Sequence, residues 1–250
     1  VPLANKHRVT MPFSLSRSSA RRFLRLAIRC MFIFLLASSG LVLLLRFAPP
    51  LTSGLMIERR LQSLFADGEY QRRYQWVPLE QIAPAMGVAV VAAEDQLFAD
   101  HAGFDWNAIE KAVIYNQKHK KTRGASTISQ QTAKNLFLWS GRNWFRKGME
   151  TYFTVLIETL WSKERILEVY LNIVELGDGV FGVEAAAQYY FKKPAARLSA
   201  NEAALLAAVL PNPHIYQANK PSGYVRGRQR WILLNMGRLG GKQYLDTLGE

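Results

Sequence analysis

The apolar run MGVAVVAA (residues 86–93) leads straight into Glu94-Asp95-Gln96-Leu97-Phe98-Ala99-Asp100-His101-Ala102-Gly103-Phe104-Asp105. A carboxylate placed against such a run is costly to bury without a purpose. Burial raises its pKa and makes it a candidate proton acceptor near neutrality. A second polar block follows: Gly124-Ala125-Ser126-Thr127-Ile128-Ser129-Gln130-Gln131-Thr132-Ala133-Lys134-Asn135. Either block alone reads as a surface loop. Together, in this order, packing does not account for them.

Outward from these blocks the chain is dense in helix formers from Trp76 onward. It has no long alternating strand pattern, no internal repeat and no low-complexity segment. Consecutive helices are expected over 149–161 and 163–174. Ser199-Ala200-Asn201-Glu202 fits a capping box, with a buried helix over 203–210 behind it and Pro211 as its stop. Gly177-Asp178-Gly179 and Gly182 mark a loop. The fold class expected is mainly α, over 76–240, with 49–75 as a juxtamembrane linker of helix plus loop.

The 250 residues carry a net charge of +13, and residues 1–50 hold eight of the basic groups and no acid. The rest is only mildly basic and has no recognisable nucleic-acid motif, so no nucleic-acid partner is expected. The single Cys30 excludes an internal disulfide. Residues 30–45 are uncharged, and the apolar stretch reaches the roughly 20 residues that span a bilayer if Arg29 and Arg46 snorkel. A cleavable signal peptide would need a small-x-small site, which Arg46-Phe47-Ala48-Pro49-Pro50 does not offer. A buried core helix is at odds with the flanking cations. The reading is a basic cytoplasmic tail (1–25) and an uncleaved anchor (26–48), with the rest outside the cytoplasm.

Three constellations carry chemistry. Lys134, Arg142, Arg146 and Lys147 are interleaved with Phe137, Trp139, Trp144 and Phe145. A charge run alone is usually a solvated face, but aromatics beside cations suit a membrane interface or an amphiphile with a phosphate head. Glu150 shares a helix face with Arg146 and Lys147. It is either an ordinary ion pair or a second carboxylate held ionised, complementary to a Glu94 pushed up by burial. Ser126 or Thr127 caps a helix, while Gln130 and Gln131 supply more donors and acceptors than a cap needs and suit sugar hydroxyls. His101 reads as structural as readily as functional, and no metal-ligand spacing, phosphate loop or nucleophile elbow is present.

The ordered blocks resemble the family 51 glycosyltransferases, the peptidoglycan polymerases. The matching residues are Glu94-Asp95-x-x-Phe98-x-x-His101-x-Gly103; Gly124 through Gln131 with Lys134-Asn135; Arg146-Lys147-x-x-Glu150; Lys163-x-x-Ile166-Leu167-Glu168-x-Tyr170-Leu171-Asn172; and Leu198-Ser199-x-x-Glu202-Ala203-Ala204-Leu205-Leu206-Ala207. Ala125 stands where a second glycine is common. The resemblance implies a lysozyme-like helical domain acting on lipid II, a disaccharide-pentapeptide on undecaprenyl pyrophosphate, at the outer face of a bacterial inner membrane. It implies Glu94 as general base and Lys134, Arg142, Arg146 and Lys147 as stabilisers of the leaving pyrophosphate. Glu150 would orient these cations or help place a divalent ion (Mg or Mn), and no organic cofactor is expected. Ser126, Thr127, Gln130, Gln131 and Asn135 would shape the sugar site, with Asp95, Phe98, His101, Lys163 and Asn172 in support. Division or cell-wall synthesis proteins are the expected protein partners. No Ser-x-x-Lys tetrad occurs, so polymerisation without cross-linking is expected. The rivals are a lysozyme-type hydrolase, which needs neither anchor nor lipid-phosphate surface, and a silent membrane scaffold, which needs none of the polar set.

Overall fold

The computed structural model describes residues 17–65, 70–119, 123–141 and 143–249. The chain divides into two units, residues 1–41 and 42–250. The described part of the first belongs to α1 (Arg17–Phe47), which from Arg21 is long and apolar enough to cross a membrane. Its large apolar side chains, Phe23, Phe32 and Ile33 among them, are exposed. A helix sheltered by a protein core would bury them. The helix stops just before Pro49-Pro50, because a proline restricts the residue before it and cannot continue the hydrogen-bond ladder.

In the second unit the order is α2 (Gly54–Ser63), β1 (Arg73–Tyr74), α3 (Pro84–Glu94), α4 (Trp106–Lys118), α5 (Ile128–Phe137), α6 (Trp144–Leu160), α7 (Lys163–Ile173), β2 (Glu175–Gly177), β3 (Val180–Phe181), α8 (Val183–Phe191), α9 (Ala200–Val209), α10 (Gly223–Arg238) and α11 (Gln243–Asp246). The expected mainly helical class is what is found. Helix starts follow from local chemistry: Asp105, Thr127, Asn143, Ser162, Ser199 and Ser222 each accept a backbone N–H of the first turn. The Ser199–Glu202 capping box forms as expected, and a second closes between Thr127 and Gln130.

The core is built around α3, whose residues 86–92 are buried on every face. Their small side chains let α3 lie close against the alanine-rich α9, with α10 packed on both. On the other side α5 packs against α6, α7 and α2. The contact with α2 requires Gly54, since a Cβ there would collide with the Leu138 carbonyl. At the end of α1, residues 42–48 belong to this unit. Trp161 Nε1 donates to the Val42 carbonyl at 2.8 Å, and Arg165 to those of Leu45 and Ala48 at 2.7 Å each. Leu45 lies in the last turn of α1, where a helix leaves its carbonyls unpaired.

Gly177-Asp178-Gly179 and Gly182, expected to mark a loop, turn out to be part of a small hairpin, with Asp178-Gly179 as its turn. β3 pairs antiparallel with β2 and parallel with β1, in the order β1-β3-β2. Its turn uses Gly179 at φ +67°, and Gly182 at φ +79° lies against the Asn172 backbone, where no side chain fits. The hairpin matters because it carries Glu175 into the interior.

Candidate active site

Glu94 is the last residue of α3 and is half-buried. Burial pushes its carboxyl above the usual range and the neighbouring Asp95 adds to this, while a hydrogen bond from Gln131 and the charges of Arg228 and Lys134 draw it back. Gln131 Nε2 donates to Glu94 Oε2 at 2.9 Å, and the Tyr170 hydroxyl donates to Gln131 Oε1 at 3.1 Å. Burial, and then Glu94 and Asp95, raise the Tyr170 phenol well above its ordinary value, so it stays a donor. That donor fixes which end of the Gln131 amide faces the carboxylate.

Asp95 does a different job one residue on. It is buried; its Oδ1 pairs with His101 Nε2 at 2.9 Å and its Oδ2 accepts the Ile128 N–H at 2.9 Å, at the start of α5. His101 Nδ1 accepts from the Gly103 N–H at 3.1 Å, which leaves Nε2 to carry the proton toward Asp95. Lys163 donates to the His101 carbonyl at 2.5 Å and to Glu158 at 2.8 Å, and sits over the Phe98 ring at 4.7 Å. Asp95, Phe98, His101 and Lys163 thus hold the loop after Glu94 to the head of α5. Asn172 is committed elsewhere, pairing with both the N–H and the carbonyl of Val77 at 2.9 Å.

The polar block divides in the same way. Thr127 and Gln130 are buried in the capping box, with Thr127 also donating to the Gly103 carbonyl at 2.7 Å. Ser126 is exposed just before them. Gln131, Lys134 and Asn135 line a cavity of about 180 Å³ that also takes Arg59 from α2, Glu175 from β2 and His214. Gln131 and Lys134 are three residues apart, on one face of α5. So the helix that aims a donor at Glu94 also carries the nearest cation of the second cluster.

In that cluster Glu150 is buried and both its oxygens are taken. Oε2 accepts from Arg146 at 2.6 Å, and Oε1 accepts from Lys147. Burial lowers the Lys134 ammonium, Glu150 and Glu94 oppose this, and Arg146 and Lys147 reinforce it. The Arg146 Nε–H is buried without a partner among the described residues, an orphan donor inside a nest of cations. Trp144 and Phe145, at 91% and 71% exposure, stand open beside it. Arg142, expected in this cluster, lies outside the described residues.

Residues 59–237 match a family model described as Transglycosylase. The chain belongs to that family. Three similar curated proteins are each named "Biosynthetic peptidoglycan transglycosylase". The one from Mannheimia succiniciproducens is 55% identical over 95% of this chain and 97% of its own length. The Haemophilus influenzae protein is 57% identical over 88% and 90%, and an Escherichia coli protein 55% over 92% and 94%.

This transglycosylase has site features that no local pattern announced. Tyr170 stood in a matching block without a role. Arg228 reaches from α10 to donate to the Ala93 carbonyl at 2.7 Å, one residue before Glu94. Among the described residues, one trio brings metal-capable donors together: Glu175, Asp178 and His214, within 4.8 Å of one another. Glu175 is buried, its Oε2 shared by Arg59 at 3.1 Å and His214 at 3.3 Å, and its Oε1 has no partner among the described residues. The two carboxylates, one of them with an orphaned oxygen, and the imidazole fit a divalent ion such as Mn. Glu150, with both oxygens on cations, offers no comparable vacancy.

Proposed function

We propose that the enzyme polymerises lipid II into β-1,4-linked glycan strands, inverting at the donor MurNAc anomeric carbon, and that it does not cross-link them. Glu94 takes the proton from the acceptor GlcNAc 4-hydroxyl, and that oxygen attacks the anomeric carbon of the growing chain. The bond from that carbon to the pyrophosphate oxygen breaks, and undecaprenyl pyrophosphate leaves with its electron pair. Attack opposite the leaving group turns the α donor into a β linkage.

The observation that carries this reading is the pairing on α5. Gln131 orients a base whose proton affinity burial has raised, and Lys134, one turn on, brings cations to where an anionic leaving group needs them. Pyrophosphate leaves readily once its charge is met, so fixed cations serve it better than an acid. Arg146 and Lys147, held by Glu150, extend that field. A divalent ion, where the reaction uses one, would neutralise pyrophosphate charge; Glu175 and His214, which line the cavity, and Asp178 beside them are the residues that fit it.

The seven basic residues before Cys30 support an N-terminus in the cytoplasm and a catalytic unit outside the plasma membrane. The exposed Trp139, Trp144 and Phe145 suit contact with lipid on that side. The deciding experiment is polymerisation of labelled lipid II by the detergent-purified chain, with Glu94→Gln alongside. Long strands from the wild type alone support the reading. Shortened glycan released from preformed strands would instead mark a hydrolase.

A further inference from the structure

The C-terminal end of α3 is an unfavourable place for an acid. The partial negative charge of a helix C-terminus opposes a carboxylate, and here Glu94 and Asp95 follow one another at that end. The usual remedy is a basic residue in the last turn, and α3 has none. The carbonyls are satisfied one by one instead. That of Val91 accepts the Asp95 N–H at 2.9 Å, and that of Ala92 accepts Gln96 Nε2 at 3.1 Å. The Ala93 carbonyl takes the Arg228 guanidinium from α10 at 2.7 Å. That guanidinium rests on the Trp231 ring at 4.5 Å, and its Nε is buried with no partner among the described residues.

We propose that Arg228 is the positioning residue of Glu94: it clamps the last turn of α3 through the Ala93 carbonyl and supplies the fixed positive charge this helix end lacks. The inference rests on Glu94 being the base. The groups facing Glu94 come from four places: Asp95 beyond α3, Gln131 and Lys134 on α5, Tyr170 on α7 and Arg228 on α10. Only two of these are cations, and Lys134 is itself the group whose proton burial loosens. Arg228 keeps its charge at every working pH, so the base can ionise even where Lys134 is neutral. It touches no reacting atom in this arrangement, and its effect passes through Glu94.

The test compares Arg228→Gln, which keeps a donor for the carbonyl but loses the charge, with Arg228→Lys, which keeps the charge. Both are measured with lipid II across pH in the full detergent-solubilised chain, with thermal melting as a check on folding. In Arg228→Gln the acidic limb of the turnover profile should move to higher pH. The variant would then fall behind the wild type several-fold more at the acidic end than at the alkaline end, with KM little changed. Arg228→Lys should bring the limb back. A limb unmoved in Arg228→Gln while Glu94→Gln is inactive overturns this role and leaves the base assignment standing. A rise in KM with the limb unmoved overturns it too, and makes Arg228 a substrate contact. Turnover retained in Glu94→Gln removes the base reading, and this role with it.

Discussion

Glu94 and Glu150 are the same side chain, one half-buried and one buried, and they are furnished in opposite ways. Glu94 ends a helix, faces a neutral amide, and has its carboxyl raised by burial. Glu150 lies inside a helix with a guanidinium on one oxygen and an ammonium on the other. A carboxylate given a neutral donor keeps an appetite for protons. One neutralised by two cations becomes a peg that holds those cations in place. The difference lies in the partners, and each can be exchanged.

The largest break should come from Glu94→Gln. Removal of a general base slows turnover about 10²–10⁴-fold, while lipid II binding measured separately should persist. The same change should raise the melting temperature at alkaline pH. Because the folded-state pKa of Glu94 lies above the unfolded one, its favourable contribution is complete below the unfolded pKa and is lost as pH rises through the folded value. At acidic pH the two proteins should melt together.

Glu150→Gln should do the reverse, harming stability first. It leaves the largely buried Arg146 uncompensated, a loss of about 3 kcal/mol by the usual cost of breaking such a pair. A chemical-denaturation midpoint reads this directly, and an unchanged midpoint would deny the peg its role. Lys134→Ala comes next, with donor affinity weakened by roughly ten-fold for one lost charge-assisted contact; an unaltered KM for the donor would count against it. Tyr170→Phe should be smallest. It frees the Gln131 amide to turn, weakens the hydrogen bond that favours ionised Glu94, and moves the acidic limb of the turnover profile to slightly higher pH. The wild-type profile itself should be a bell narrower than ordinary Glu and Lys values would give, since burial raises the base and lowers the lysine.

Much of this was legible along the chain because it is local. Ser199–Glu202 is a capping box of fixed spacing, and Arg146, Lys147 and Glu150 meet because a helix brings residues three and four apart together. The same locality divided the two glutamines in a way their adjacency hid. Gln130, at the third position of α5, turns back to the cap, and Gln131 faces Glu94. The illegible parts are long-range or too short to have a period. β2 and β3 span three and two residues, so alternation had no room to show, and Glu175 went unremarked. Arg228 meets α3 across 135 positions, in a helix whose own composition says only that it is basic. Asp178 comes near Glu175 through the turn of the β2–β3 hairpin, and His214 only through the tertiary fold.

Asp95 has both carboxylate oxygens occupied, one by His101 and one by the head of α5. A saturation library over the adjacent codons 94 and 95 would therefore yield two kinds of inactive clone that a growth screen scores alike. Cells with substitutions at Glu94 would fill with intact, idle protein able to compete with the active enzyme for its place in the membrane. Those at Asp95 would lose the chain to quality-control proteases, since a buried group left without its pair drains the folded population. An immunoblot of the library, sorted by codon, would separate the two where colony counts cannot.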